Sequence, residues 1–351
     1  MRIIFLDYLR IFAFMSVLIG HIYDDVLTRA ASDQGLHITL RALAESLIFF
    51  SYGGGAGVVV FFLVSGYIIT HVLEKESPRE FAIKRVFRIY PLYMTATLLW
   101  IAIDRETPTW STIIPQLLLL GDLFKTPYAL NEVEWTLRIE VIFYLFMGLT
   151  KLFGLLDSGR RSWAFSLLIA LTSFLLFILP PLPGLGIVKQ GYITLYAPFL
   201  FLGSLIYLRE KGRVGVLSLT AMTTQVFLQY FEGIRNFQPN WLDTHFAFVG
   251  FLVFVAGWCL RDRLCPSPFV RWLSDLTFSV YLFHFWLIQW IREAPGIQSL
   301  SPSIREGVTL IIFFGCCIFF HQTIERKGIR IGQWFNARWR VDALPQHKSP
   351  A

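Results

Sequence analysis

The chain has 351 residues, of which 55% are hydrophobic, 17% aromatic and only 16% charged, with a net charge of +7 and a mean hydropathy of +0.57. Soluble domains carry roughly 45–50% apolar and about 25% charged residues, so a soluble enzyme, a disordered chain and a fibre are excluded. A polytopic all-α membrane protein remains. At about 20 residues per span, roughly ten spans fit, with short loops and no large soluble domain.

Hydropathy predicts helices over 5–27, 54–74, 88–104, 135–156, 163–180, 190–208, 214–231, 245–260, 274–292 and 306–325. The apolar pieces 41–50 and 113–124 are too short to span and suit re-entrant or interfacial segments. Asp7 and Arg10 interrupt the first apolar stretch, which therefore reads as an uncleaved span, although Ala30-Ala31-Ser32 weakly imitates a cleavage site. Residues 1–325 form the membrane domain in this reading, and 326–351 a basic cytoplasmic tail in which Trp334 and Trp339 suit a membrane-surface anchor. The basic residues set the orientation. With the N-terminus inside, 21 of the 31 Lys and Arg fall on cytoplasmic segments, 8 on outer ones and 2, Arg10 and Arg138, within spans. Both termini are thus expected in the cytoplasm, and the basic excess reflects topology and lipid contact rather than a nucleic-acid partner. Cys316 and Cys317 are adjacent, Cys259 and Cys265 flank a boundary, and no metal-ligand spacing occurs.

Charge inside a span is costly, so each instance is a functional candidate. On the first helix, Arg10 and His21 lie eleven steps apart. Eleven steps of 100° end about 20° past three turns, so both share a face, about 16 Å apart along the axis. Asp7 precedes Arg10 by three, and Asp24 and Asp25 follow His21 by three and four, on or beside the same stripe. A carboxylate one turn from an imidazole can orient the ring and raise its basicity, as a general base needs. The second helix brings Gly53-Gly-Gly55-Ala-Gly57, read mainly as close helix packing, and then Phe61, Phe62, Ser65 and Tyr67. On the third, Arg85 and Arg88 are one turn apart with Lys84 beside them: a forked anion site, or a bare topology signal. The fourth helix runs Glu134-Trp135-Thr-Leu-Arg138-Ile-Glu140, with Tyr144 one turn beyond Glu140. Glu140 is placed near the depth of His21, as part of the site or as a structural ion-pair partner. In the ninth, Tyr281 and His284 supply either polar contacts in a cavity or an interhelical hydrogen bond.

These segments, in this order, resemble the acyltransferase-3 family of integral membrane acyltransferases, whose best-known members O-acetylate bacterial polysaccharides. Arg10 with His21 is similar to the family's Arg-x10-His pattern, Gly57 to Tyr67 to its second-helix signature, and Arg85-x-x-Arg88 to its Arg-x-x-Arg motif. Trp135-Thr-Leu-x-x-Glu140 resembles a Trp-Ser-Leu-x-x-Glu block, with Thr136 where Ser is usual, and Leu273 to His284 resembles a later block. The resemblance implies an acyl-CoA donor, most simply acetyl-CoA, with Arg85 and Arg88 at its anionic groups, and a catalytic His21. The residues read beside them extend the expectation, with Lys84 and Ser65 on the donor side and Glu140, Arg10 and Asp25 around His21. A saccharide or glycoconjugate acceptor would meet Trp135, Arg138, Tyr144, Tyr281 and His284, with no metal. Arg10 or Arg138 could stabilise an oxyanion, and Asp24, Asp25 or Glu140 could hold the imidazole; the sequence does not choose. The expected location is the inner membrane, and a homo-oligomer is compatible with the sequence. The rival reading is a transporter or flippase using the same charged cavity.

Overall fold

The computed structural model describes residues 2–103, 109–124, 126, 130, 133–156, 162–182, 191–239 and 245–342. Among the basic residues counted above, Arg105, Lys125, Arg160, Arg161, Lys189 and Lys348 lie outside them. The described residues are helical with no strand. In chain order the helices are α1 (Ile4–Ile22), α2 (Asp24–Ser32), α3 (Ile38–Ser51), α4 (Gly55–Leu73), α5 (Pro78–Ile103) and α6 (Trp110–Leu117). They continue as α7 (Gly121–Phe124), α8 (Glu134–Leu152), α9 (Ser162–Ile178), α10 (Tyr192–Glu210), α11 (Val216–Phe237) and α12 (Phe246–Cys259). The last are α13 (Pro268–Asp275), α14 (Thr277–Phe283), α15 (Trp286–Glu293), α16 (Pro295–Gln298), α17 (Pro302–Phe320) and α18 (Arg326–Asp342). A π-helical turn, His321–Glu325, joins α17 to α18. Five helical stretches are long and apolar enough to cross a membrane: α1, α4, α5, α10 and the continuous run Pro302–Trp339. Helices Trp163–Ile178 and Phe246–Cys259 are apolar but shorter.

Helix α4 is apolar all round and forms the centre of the bundle, as a helix without a polar face must. It crosses α10 so closely that a Cβ on Gly66 would stand 1.9 Å from the Leu200 carbonyl oxygen, and one on Gly203 would stand 2.2 Å from that of Leu63. Small residues let backbones approach this closely without a water-driven core. The outer helices show the opposite pattern: Leu145 and Leu149 on α8, Leu171 and Phe174 on α9 and Ile311 on α17 are exposed.

Three local differences from the hydropathy reading bear on the site. The first span stops at Ile22, where Tyr23 leaves helical geometry (φ −122°, ψ 3°), and α2 continues as a separate helix. Helix α5 begins ten residues before the expected 88, at Pro78. Ser77 caps it there, its Oγ accepting from the Glu80 backbone N–H at 3.2 Å, with proline at the first helical position. The expected 274–292 span is broken into α13, α14 and α15. At the α14–α15 break the carbonyls left by the ladder accept from side chains instead, Tyr281 O from His284 Nδ1 at 2.7 Å and Leu282 O from Trp286 Nε1 at 3.1 Å.

The segment after Glu325 continues the α17 helix through the π turn and packs along α5. Gly328 lies against the Phe87 carbonyl and Pro91, Asn336 Nδ2 donates to the Glu80 carbonyl at 3.2 Å, and the Arg79 guanidinium lies 3.2 Å above the Trp339 ring.

Candidate active site

An internal cavity of about 200 Å³ is walled by α1, α4, α5, α8, α13 and α14. Its wall on α1 is the stripe Arg10, Ala13, Phe14 and Val17, the face expected from the Arg10–His21 spacing. The cavity stops at Val17 and Tyr281, one turn short of His21 on α1 and of His284 on α14. One end is therefore marked by imidazoles and the other by guanidiniums.

At the imidazole end, His21 is exposed and His284 is 1% exposed. His21 Nδ1 and His284 Nε2 are 2.8 Å apart, with ring planes inclined by 25°. The proton positions follow from the third partner. The Tyr281 carbonyl can only accept, so His284 Nδ1 carries a hydrogen and, in the neutral ring, Nε2 is a bare acceptor. His21 must then donate from Nδ1, which leaves its Nε2 unprotonated. Gly54, at φ +85°, faces that nitrogen: a Cβ there would stand 3.0 Å from His21 Nε2. Glycine suits both the backbone angle and the close approach, since any side chain here would press on that nitrogen. The same turn presses on α1, where a Cβ on Gly20 would meet Gly54 N at 2.1 Å.

Between the ends, the Tyr281 hydroxyl donates to the Val133 carbonyl at 2.9 Å and lies 2.5 Å from the Thr136 hydroxyl. Phe61 stacks parallel to the Tyr281 ring, with centroids 6.2 Å apart. Further along α8, Glu140 is buried and accepts from Ser65 Oγ at 2.7 Å and from the Tyr144 hydroxyl. Glu140 thus ties α8 to α4, and its carboxylate faces the cavity rather than serving as the partner at His21 Nδ1.

At the guanidinium end, Arg10, Arg85 and Arg88 line the same cavity. Arg10 Nη1 is a loose 3.7 Å from Asp7 Oδ1. Asp7 is already saturated by Arg2, through contacts of 2.7 and 2.9 Å, and by Ser274 Oγ at 2.9 Å. The Arg85 guanidinium stands over the Phe81 and Tyr144 rings, and its Nε is buried without a hydrogen-bond partner. Neither Arg85 nor Arg88 has a carboxylate within 4.0 Å among the described residues. Three cations lining one cavity are an arrangement that can accommodate an anion of several charges.

The remaining candidates lie elsewhere. Lys84 is held by Glu76 at 2.6 Å and Glu80 at 2.8 Å, away from the cavity. Trp135 packs among Phe62, Tyr192 and Tyr196. Arg138 is buried and lines a separate flank groove. Asp25 is exposed on α2, beyond the break at Tyr23. Gly54, Thr136 and Ser274 were not named as site residues from the sequence. The Gly53–Gly55 run carried a signal in its glycine density, and Thr136 and Ser274 lie within the segments that resemble family blocks.

The two histidines thus lie just beyond one end of the cavity, and Arg10, Arg85 and Arg88 line the other. Residues 3–321 match the family described as "Acyltransferase domain", and the chain belongs to that family. It is 27% identical over 337 residues to "Exopolysaccharide production protein ExoZ" of Rhizobium meliloti, covering 88% of this chain and 96% of that protein. It is 24% identical over 330 residues to "O-acetyl transferase" of Shigella phage Sf6, covering 87% and 90% respectively. The similarity to "Putative peptidoglycan O-acetyltransferase YrhL" of Bacillus subtilis, 23% over 340 residues, covers 79% of this chain and 51% of that longer protein. No solved structure matches the chain.

Proposed function

We propose that this protein is an inner-membrane O-acyltransferase that takes an acyl group, acetyl in the first instance, from cytoplasmic acyl-CoA. It transfers that group to a hydroxyl of a cell-surface or exported saccharide. The observation that carries the reading is the His21–His284–Tyr281 carbonyl chain, which puts the His21 proton on Nδ1 and makes Nε2, beside Gly54, the basic nitrogen. The relatives' printed names, in exopolysaccharide production and O-acetyl transfer, support the acceptor class.

In this reading the ten expected spans place the arginine end at the cytoplasmic face, with both termini inside. CoA's phosphates dock at Arg85, Arg88 and Arg10, which line one cavity, and the pantetheine arm extends along the α1 stripe toward Val17. The saccharide hydroxyl arrives at exposed His21 from the other side. His21 Nε2 takes its proton as the oxygen attacks the thioester carbonyl. The C–S bond of the tetrahedral intermediate then breaks, and the leaving thiolate takes the proton back from His21. The products are the ester and free CoA. His284 and the Tyr281 carbonyl share the positive charge that builds on His21, and such general-base help is typically worth about 10²–10⁴-fold. Tyr281 and Thr136 border the path of the arm, while Glu140 keeps Ser65 and Tyr144 in place along it.

The test is direct. Purified protein given acetyl-CoA releases CoA only when a glycan extract is present, and the extract gains an acetyl ester by mass spectrometry. Movement of an unmodified saccharide across a vesicle membrane without CoA release would replace this reading with a transporter.

A further inference from the structure

The internal cavity is not the largest one. A groove of about 970 Å³ lies on the flank of the bundle between α5 and α8. Val86, Ile142, Leu145 and Leu149 line it and are exposed, so it opens toward the surrounding bilayer. It is almost wholly apolar, yet Arg85 stands in its wall. Arg85, Ile89 and Tyr144 are shared with the internal cavity and form the partition between the two. Arg138 lines the same groove and is engaged within the protein. Among the described residues Arg85 has no acidic partner within ion-pairing distance, and its Nε is buried without a hydrogen-bond partner.

Hydrocarbon explains the occupancy of the apolar walls, but it does not explain the arginine. A guanidinium in such a wall is costly unless an anion meets it. Its ring contacts with Phe81 and Tyr144 hold the fork in one orientation, which favours a planar or tetrahedral oxyanion. A zwitterionic lipid would fill the same volume, but its own cation offsets the attraction. We propose that the groove binds one anionic phospholipid of the bilayer, with its chains along Val86, Ile142, Leu145 and Leu149 and its phosphate at Arg85. Five N–H donors allow the guanidinium to serve this phosphate on one side of the partition and the internal cavity on the other. A bound lipid therefore braces the wall of the cavity without entering it.

The proposal is tested on the full chain in detergent, without donor or acceptor, so its outcome is separate from that of the transfer reaction. Native mass spectrometry is used to titrate dioleoyl phosphatidylglycerol, dioleoyl phosphatidylcholine and geranylgeranyl phosphate. One phosphatidylglycerol is expected per wild-type chain, at least tenfold tighter than phosphatidylcholine. Leu145→Trp, on an outward-facing position, fills the groove and should weaken both phospholipids at least tenfold, with Leu149→Trp as the second filling variant. Arg85→Gln should keep lipid uptake but remove the preference for phosphatidylglycerol. Equal binding of the two phospholipids by wild type, or unchanged binding in both tryptophan variants, overturns the proposal. Tighter binding of geranylgeranyl phosphate than phosphatidylglycerol overturns it in favour of a polyprenyl lipid.

Discussion

The two ends of the cavity are built on opposite principles. At the imidazole end the polar groups are joined in sequence: His21 to His284 at 2.8 Å and His284 to the Tyr281 carbonyl at 2.7 Å. At the guanidinium end Arg85 and Arg88 lack a carboxylate within 4.0 Å among the described residues and Arg10 has only a loose one at 3.7 Å, while Lys84 beside them is matched. Lys84 and Arg85 are adjacent in sequence, yet Lys84 holds two carboxylates at 2.6 and 2.8 Å and Arg85 has a bare Nε. A base must be oriented before its substrate arrives, so its hydrogen bonds are internal. A binding cation works by exchanging water for ligand, so its bonds are left for that ligand. In the proposed reading, the state of satisfaction of a charged group is what separates structural charges from working ones.

Breaking the imidazole end should have the largest effect. His21→Ala is expected to abolish acetyl transfer, a loss of about 10²–10⁴-fold or more, while membrane-inserted protein is retained by detergent extraction and gel filtration. Appreciable residual transfer would remove His21 from the chemistry. His284→Phe removes the acceptor at His21 Nδ1 and should lower kcat by about 10²-fold with little change in donor KM, as expected when a base loses the partner that sets its tautomer. Asp25→Asn should leave kcat within about twofold, since Asp25 lies beyond the helix break; a large loss there would restore a carboxylate as the orienting group.

The guanidinium end should respond in KM. Arg85→Gln with Arg88→Gln removes charge-assisted hydrogen bonds of about 1.5–3 kcal/mol each. A rise of tenfold or more in the KM for acetyl-CoA follows, measured by CoA release at saturating acceptor. Lys84→Gln gives the smallest change, under about threefold in donor KM, because Lys84 is held by Glu76 and Glu80 and does not line the cavity. If Lys84→Gln raised KM as much as Arg85→Gln, the distinction between matched and unmatched cations would collapse.

Much of the bundle was legible from hydropathy because α4 and α10 are apolar over their full length. The Arg10–His21 face followed from helical periodicity, since α1 runs without interruption from Ile4 to Ile22. The break at Tyr23 did not follow, because it accompanies backbone contact between Gly20 and Gly54, residues far apart in the chain. The partner of His21 was hidden for the same reason: His284 is 263 residues away, while Asp24 and Asp25 looked adjacent on an idealised helix. The start of α5 was visible locally in Ser77-Pro78-Arg79-Glu80, a helix-start pattern that hydropathy ignores because it is polar. Spacing alone also could not distinguish Lys84 from Arg85, which diverge only once Glu76 and Glu80 are in place.

The C-terminal helix has a practical consequence for anyone shortening the gene. Although composition marks residues after 325 as a basic tail suited to a membrane-surface anchor, α18 lies along the same turns of α5 that carry Arg85 and Arg88. Ending the chain at Glu325 would uncover Phe87 and Pro91 and leave Arg79 without its tryptophan. A truncation chosen to improve expression would therefore strip the outer support from the helix that presents the anion site, and lost activity in such a product would report on the cut rather than on the catalyst.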